Sequence, residues 1–338
     1  MSAGLRITVT GGAGFIGSNL VARLLADPGV ARVTVVDDCS TGAAALLGAD
    51  LAQVDFRLGT VLDPDLLDSA LHGADAVVHL AAVPSVPRSV KDPLHSHEAN
   101  ATGTLHVLEA ARRADGPMVI AASSSSVYGA QPIMPKREDS RPMPLSPYAV
   151  TKLAAEAYLG AYHSCFALPV LPLRFFNVYG PRQRAGHPYA AVVPTFLDAA
   201  LHERPLVVHG DGSQTRDLTN VDTVCDVIIS ALHRRVVTPW PVNLALGTRT
   251  SLLELIDLIG ELLGHRPAVV HVDARPGDVP HSQADPTRLL TLFPEITAKP
   301  LRAGLEDTLA WHRANPTGAE GSTSPPRPAV TSASGSRR

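Results

Sequence analysis

Thr10-Gly11-Gly12-Ala13-Gly14-Phe15-Ile16-Gly17 is the stretch that decides the fold. It follows the apolar run Leu5–Thr10 and opens a helical pattern, and Gly11, Gly14 and Gly17 give the spacing G-x-x-G-x-x-G. Glycines there allow a tight turn, let backbone approach a pyrophosphate and let the helix pack on the strand. The helix N-terminus then turns its free N–H groups to the phosphates. Alone, such a stretch is an ordinary turn; between strand and helix, with an acid about 20 residues on, it is a dinucleotide fingerprint. That acid is Asp37, in Val35-Val36-Asp37-Asp38. A carboxylate there accepts hydrogen bonds from both ribose hydroxyls and repels a 2′-phosphate. No Arg or Lys lies between Asp38 and Gly48, so NAD is expected over NADP, with one of Asp37 and Asp38 left to cap a turn.

Outward from this motif, the apolar runs Ile7–Thr10, Val33–Val36, Ala76–Leu80, Met118–Ala122 and Val170–Phe175 lack polar alternation. Strands covered on both faces read this way. Helical stretches lie between them, including Leu94–Arg113 and Pro147–Cys165. Strand–helix alternation with right-handed crossovers predicts an α/β fold, a Rossmann-type doubly wound parallel sheet. Residues 1–180 are assigned to it, with segments near 218–248 returning to the sheet. Beyond Asn177 the texture changes: Gly180–Pro188 is loop-like, Gly210-Asp211-Gly212-Ser213 marks a turn, and Ser251–Leu263 is helical. Residues 181–313 are read as mostly a smaller C-terminal substrate-binding α/β region. From Ala314 the chain is Pro, Ser, Thr, Gly and Ala without periodicity, a composition expected of a disordered tail over 314–338.

The 338 residues are 45% hydrophobic and 18% charged, enough for a sizeable core. A net charge of −3 disfavours nucleic acid as the main partner. Glu320 against Arg327, Arg337 and Arg338 gives the tail +2, so of the net −3 the body carries −5. Cys39, Cys165 and Cys225 have no metal-like spacing and are read as small buried residues. His95 and His97 are read as a solvated helix start, with no metal assigned. With no apolar run of about 18 residues and no signal peptide, a cytoplasmic protein without membrane contact is expected.

Tyr148-Ala149-Val150-Thr151-Lys152 sets a phenol and an ammonium at i and i+4, on one face of a helix that Ser146-Pro147 starts well. The ammonium is expected to lower the phenol pKa toward neutrality, so that Tyr148 can take a proton from a sugar hydroxyl as hydride leaves the same carbon. Ser123 to Ser126 follow the strand Met118–Ala122 and precede Val127-Tyr128-Gly129, at a strand end where ligands sit in this architecture. Taken singly, Tyr-x-x-x-Lys is a common chance pairing and a serine run is a polar loop; here the two occur together.

With these motifs, the chain from about Leu5 to Arg313 resembles the extended short-chain dehydrogenase/reductases, specifically the nucleotide-sugar epimerases. The resemblance implies catalysis by Ser124, Tyr148 and Lys152. It implies NAD contacts from Gly11, Gly14, Phe15, Ile16, Gly17, Asp37, Asp38, Thr60, Val61, Leu80, Ala81, Ala82 and Asn100, together with Tyr148 and Lys152. His79-Leu80-Ala81-Ala82 is the cofactor-lining stretch. On the substrate side it implies Ser124, Ser125, Asn177, Val192, Val207, His209, Arg216, Arg275 and Ser282. Asn177 lies in Arg174-Phe175-Phe176-Asn177-Val178-Tyr179-Gly180, and Arg216 in Gly210-Asp211-Gly212-Ser213-Gln214-Thr215-Arg216-Asp217. Arg275 stands in Arg275-Pro276-Gly277-Asp278-Val279 as a second diphosphate ligand, and planar guanidinium forks suit phosphate oxygens. The departures are Thr60 where the family usually has Asp, His209 at the uracil-stacking position, Leu218 replacing an aromatic near Arg216, and Pro84 where some relatives keep Lys.

The resemblance also bears on the reaction. The family's 4,6-dehydratases carry an Asp-Glu pair where this chain has Ser125 and Ser126, and uronate decarboxylases tend to carry a Glu there. Relatives acting on UDP-glucuronate tend to have Thr at Asn177. C4 epimerisation of a UDP-sugar is therefore expected, through a transient 4-keto sugar. The alternatives are a 4,6-dehydratase, a 4-ketoreductase or a non-catalytic NAD-binding regulatory module. Ser282 falls at the position that gates the sugar pocket, and its small size admits N-acetylhexosamines beside UDP-glucose. A homodimer is implied through Leu94–Arg113 and Pro147–Cys165 as a four-helix bundle.

Overall fold

A computed structural model describes residues 4–185, 190–273 and 280–316. The N-terminal half reads β1 (Leu5–Thr10), α1 (Phe15–Leu25), β2 (Val30–Asp37), β3 (Asp55–Leu58), α2 (Pro64–Leu71) and β4 (Ala76–His79). It continues through α3 (Val86–Lys91), α4 (Pro93–His97), α5 (Gly103–Arg113), β5 (Met118–Ser124), α6 (Pro147–Phe166) and β6 (Val170–Phe175). After β7 (Asn177–Tyr179) come α7 (Val192–Leu201), β8 (Leu206–His209), β9 (Thr215–Arg216), β10 (Leu218–Asn220) and α8 (Val221–Arg234). The remainder is β11 (Val242–Leu244), β12 (Thr250–Ser251), α9 (Leu252–Leu263), β13 (Val269–Val272), α10 (Thr287–Leu292) and α11 (Leu301–Ala314).

Seven strands form one parallel sheet in the order β11-β6-β5-β4-β1-β2-β3. Alternate side chains face opposite layers, as the strand period of two requires. Ile7, Val9, Val33, Val35, Val78 and Ile120 pack with Leu20 and Leu24 of α1 and Val224 and Ile228 of α8. Val36, Val77, Val119 and Val170 pack on the other side with Leu67 of α2, Leu108 of α5 and Leu159 of α6. Both faces are covered, which is why these runs carry no polar alternation. From β1 the chain steps outward to β2 and β3, then returns to β4 on the other side of β1. Thr10 and His79 pair there, and the strand ends beyond them form the switch-point crevice. A separate apolar cluster joins Phe196 and Leu197 of α7, Val208 of β8, Ile256 and Ile259 of α9, and Leu305 and Leu309 of α11.

Three expectations are corrected, and one strand is added to the apolar runs. The stretch Leu94–Arg113 is not one helix but α4, a π-turn over Glu98–Thr102, and α5. The Asn100 side chain accepts from Val83 N at 2.7 Å, and its amide donates to Val83 O and Thr151 Oγ1. These bonds hold the widened turn inward, and π-turns favour such functional positions. β3 has no apolar run because it is an edge strand, with Arg32 and Arg57 bonded to Asp55 and Leu58 71% exposed. Of the three cysteines only Cys225 is buried; Cys39 is half-buried and Cys165 exposed. Ala314 closes α11, so it does not belong to the tail, whose residues from 317 lie outside the described ones.

Candidate active site

The glycine turn is built by contacts that only hydrogen fits. Gly11 has φ +75°, and a Cβ on it would lie 2.5 Å from Ala81 N. A Cβ on Gly17 would lie 2.1 Å from Gly11 O, so this glycine seats α1 on the loop. Gly14 differs: the only protein atom near its would-be Cβ is Gly11 O at 3.2 Å. It is also the N-cap of α1, with no side chain capping the helix and no acid in its first turn. Phe15 and Ile16 follow directly, so their N–H groups stand at a helix start left for an external anion.

Asp37 ends β2 buried, accepting from Ala13 N and Cys39 N at 2.8 Å each, one per carboxylate oxygen. Burial pushes its pKa up, Asp38 adds to that, and the two N–H donors oppose it. Asp38 caps a turn through Ser40 N at 2.9 Å. Thr60 Oγ1 accepts from Leu62 N, and Val61 packs beside Gly103. Leu80, Ala81 and Ala82 leave β4 against Gly11, as Leu80 N donates to Thr10 O at 2.9 Å. His79 is fully interior between Thr10 Oγ1 at 2.7 Å and Thr104 Oγ1 at 3.0 Å. Desolvation, aided by the Lys152 charge, takes its pKa to about 3, so it is a neutral structural link.

Ser124, Tyr148 and Lys152 come together where β5 ends against α6. Ser146 caps α6 by accepting from Ala149 N, and Pro147 occupies its first turn. The backbone N of Tyr148 donates to Ser89 Oγ at 3.0 Å, which fixes the start of the helix against α3. Ser124 Oγ accepts from Ser126 N and Ser126 Oγ, and its hydroxyl opposes the rise of the Tyr148 phenol pKa. Ser125 begins the short turn that follows. Lys152 donates to Ala122 O at 2.9 Å, and desolvation lowers its pKa to about 8. The expected lowering of the Tyr148 pKa is not what the fold provides. Burial pushes the phenol up, only the Ser124 hydroxyl opposes it, and the ammonium is aimed at the Ala122 carbonyl.

The residues expected on the substrate side lie on β7, β8 and β9, at the start of α7 and in the segment around Ser282. Asn177 pairs with Leu218, and its amide donates to Asp217 O. Arg216 is half-buried and donates to Thr215 O and Pro280 O. Ser282 N donates to Thr215 O at 3.1 Å, placing it beside Arg216. His209 ends β8 with its ring nitrogen on Asp273 O, Val207 is half-exposed on the same strand, and Val192 opens α7. Arg275 lies outside the described residues.

Sequence reasoning passed over several buried polar groups. Asp217 takes four donors: Thr248 N and Oγ1 on Oδ1, Gly247 N and Ala284 N on Oδ2. It thereby ties the turn after β11 and the Ser282 segment to β9. Glu156 of α6 and Arg174 of β6 form a buried ion pair. The only advance signal was the i, i+4 step from Lys152 to Glu156. Among the described residues no group of three or more His, Cys, Asp or Glu could hold a metal ion.

Residues 7–245 match the model of the NAD dependent epimerase/dehydratase family. The chain belongs to this family. A UDP-glucose 4-epimerase of Mycolicibacterium smegmatis is 37% identical over 313 residues, covering 91% of this chain and 99% of that protein. A solved UDP-N-acetylglucosamine 4-epimerase from Methanobrevibacter ruminantium, in complex with UDP-N-acetylmuramic acid, superposes with a TM-score of 0.87 at 35% identity. It covers 92% of this chain and 99% of its own. A UDP-glucuronic acid 4-epimerase from Bacillus cereus, solved with UDP-glucuronic acid and NAD, gives 0.84 at 32% identity, with the same coverage of 92% and 99%. The family member described here is thus an enzyme of the nucleotide-sugar epimerase and dehydratase group, and its cofactor is NAD. Its residues fit that cofactor: the space at Gly14, the uncapped start of α1 and the Asp37 carboxylate offer what a pyrophosphate and a ribose need.

Proposed function

We propose that the protein interconverts UDP-sugars epimeric at C4, taking UDP-glucose and UDP-galactose and also their N-acetyl forms. The observation that carries this reading is the convergence of Ser124, Tyr148 and Lys152 at the end of β5, with hydroxyls and no carboxylate at Ser125 and Ser126. Tyr148 takes the proton of the sugar 4-hydroxyl, and Ser124 donates a hydrogen bond to the same oxygen. Lys152 stands one turn along the same helix as its partner, with its ammonium bonded to Ala122 O. When bound, NAD would supply the hydride acceptor and donor for the sugar C4. Dehydration would need an additional acid and base, which two serines do not provide.

Gly11, Gly14, Phe15, Ile16, Gly17, Asp37, Asp38, Thr60, Val61, Leu80, Ala81, Ala82 and Asn100 would hold NAD. Asn177, Arg216, His209, Val192, Val207 and Ser282 would hold the UDP-sugar. Ser282, small and anchored beside Arg216, supports acceptance of the larger N-acetyl sugars. In this reading residues 1–180 form the cofactor domain, and residues 181–313 mostly form the substrate region. The packed pair α5 and α6, with Val150, Tyr158 and Phe166 exposed, would be the homodimer face.

The test is a product assay without added cofactor on UDP-glucose, UDP-galactose, UDP-N-acetylglucosamine and UDP-N-acetylgalactosamine, followed by NMR. Interconversion of each pair is expected, with no net change in NADH. A 4-keto-6-deoxy product, or stoichiometric NADH consumption, would overturn the reading in favour of a dehydratase or a ketoreductase.

A further inference from the structure

Lys152 carries its charge in a place that opposes charge: it is almost fully buried, and its one hydrogen bond goes to Ala122 O. One turn further along α6, Glu156 is equally buried. Arg174 of β6 grips both carboxylate oxygens at 2.8 Å, and Ser123 of β5 donates to Oε1 as well. The Arg174 guanidinium lies over the Tyr128 ring, 4.7 Å from its centroid. Tyr128 Oη donates to Asn243 Oδ1 at 2.6 Å, and Asn243 Nδ2 donates to Lys136 O at 2.9 Å. Lys136 in turn bridges to Ala284, two residues after Ser282.

This arrangement joins the parts that a C4 epimerase must keep in register. Ser123 precedes Ser124, and Arg174 stands three residues before Asn177. Both are tied to a carboxylate on the helix that bears Tyr148 and Lys152. A buried ion pair contributes little net stability against apolar side chains of the same shape. Its distinct contribution here is a negative charge close to Lys152. The groups facing Lys152 from other elements do not supply one: His79 of β4 is neutral, β5 offers the Ala122 carbonyl and the Ser124 hydroxyl, and Arg174 of β6 is positive. On its own helix Tyr148 is an un-ionised phenol.

We propose that Glu156, clamped by Arg174 and Ser123, is a positioning residue that keeps Lys152 protonated and locks Ser124 and Asn177 to the catalytic helix. The Glu156 charge is the influence that raises the Lys152 pKa against desolvation. The proposal rests on the reading of Ser124, Tyr148 and Lys152 as the catalytic groups.

The chain has four lysines, Lys91, Lys136, Lys152 and Lys299, so lysine labelled with 13C at Cε gives four resolvable side-chain titrations in the protein with its cofactor. Assignment follows from loss of one signal in Lys152→Met. Glu156→Gln is expected to lower the Lys152 midpoint by about 1 unit. The other three midpoints should stay in place, with kcat reduced roughly tenfold and KM little changed. Glu156→Gln strands the Arg174 charge, so the double variant Glu156→Gln/Arg174→Met, which removes that stranded guanidinium as well, is measured beside it. A smaller shift in the same direction is expected there. An unmoved Lys152 midpoint in the double variant overturns the proposal. Full activity in Tyr148→Phe would instead overturn the catalytic reading, and the Lys152 titration would still decide whether Glu156 sets its charge.

Discussion

Gly14→Ala and Gly17→Ala separate cofactor binding from folding at positions three residues apart. At Gly17 the new methyl would sit 2.1 Å from Gly11 O and 2.7 Å from Gly12 Cα, both backbone atoms that flexible side-chain motion does not relieve. Overpacking of this kind costs about 1–3 kcal/mol, and the better helix propensity of alanine returns up to ~1 kcal/mol. A net loss of up to about 2 kcal/mol lowers Tm by up to about 3 °C, at about 2.1 cal/mol/K of unfolding entropy per residue. At Gly14 the methyl meets only Gly11 O at 3.2 Å, and the backbone is extended at φ −82°, ψ 178°. Stability should then change by less than about 0.5 kcal/mol. The methyl points instead into the space where a pyrophosphate approaches the start of α1. Losing one backbone N–H to phosphate bond, worth about 1.5–3 kcal/mol, weakens NAD binding roughly 10- to 150-fold. Calorimetric titration of NAD into stripped protein gives the affinity. Circular dichroism melts run with and without saturating NAD remove the stabilisation that bound cofactor itself adds. Wild-type NAD affinity in Gly14→Ala, or a wild-type melt in stripped Gly17→Ala, would refute the assignment of the two glycines.

Three more predictions concern the site and its supports. Tyr148→Phe should reduce epimerisation by about 10²–10⁴-fold while NAD content and Tm stay at wild-type values; NMR of the sugar anomers checks this, and retained turnover would sink the role of the phenol. His79 is buried and neutral with a folded pKa near 3, below its unfolded value of 6.5. The unfolded chain therefore binds the extra proton between those values, so this group's contribution is complete above pH 6.5 and falls by about 2 kcal/mol on going to pH 5. Urea melts of His79→Gln should show a shallower acid-side slope than wild type; an identical slope argues against a neutral interior histidine. Asp217→Asn leaves one acceptor oxygen for four donors, so two of them face an amide N–H in either orientation. A loss of about 1–3 kcal/mol and a raised KM for the UDP-sugar are expected, and unchanged values in both would dissociate Asp217 from the substrate side.

The parallel sheet was legible because its central strands are covered on both faces and so read as short, mostly apolar runs, from Ile7–Thr10 to Val170–Phe175. The edge strand β3 escaped that signal because it lies at the end of the sheet, with Arg32 and Arg57 on its Asp55 and with Leu58 in solvent. The break between α4 and α5 escaped it for a different reason. Leu94–Arg113 has helical texture throughout, and the widened turn is imposed by Asn100 reaching Val83 and Thr151, partners 17 and 51 residues away. Among catalytic groups, Tyr148 and Lys152 were visible because one helix carries both at a fixed spacing. The Asp217 cradle and the Glu156–Arg174 pair were not, because each becomes a unit only when separate strands are laid side by side. At Tyr148 the spacing misleads about electrostatics: it reports that Lys152 is near, but not that its ammonium is bonded to Ala122 O instead.

That distinction bears on how an acidic body would hold two anions, the NAD pyrophosphate and, on the proposed reading, a sugar nucleotide. Long-range attraction does not account for it, since the body carries −5 and screening limits such fields to about 10 Å. The attraction has to come from donors fixed at contact distance, and the fold supplies two kinds. One is backbone: the uncapped start of α1 at Gly14, which carries no formal charge and is unaffected by pH. The other is Arg216, whose guanidinium is braced on Thr215 O and Pro280 O and so loses less freedom on binding than a mobile surface arginine. The bracing carbonyls belong to β9 and to the segment leading to Ser282, and Asp217 clamps both through Ala284 and the turn after β11. On the proposed reading, diphosphate binding and sugar selection would therefore be mechanically one device. A change that loosens the Asp217 cradle should degrade affinity for glucose and N-acetylglucosamine nucleotides in parallel, whereas a bulkier residue at Ser282 should discriminate between them.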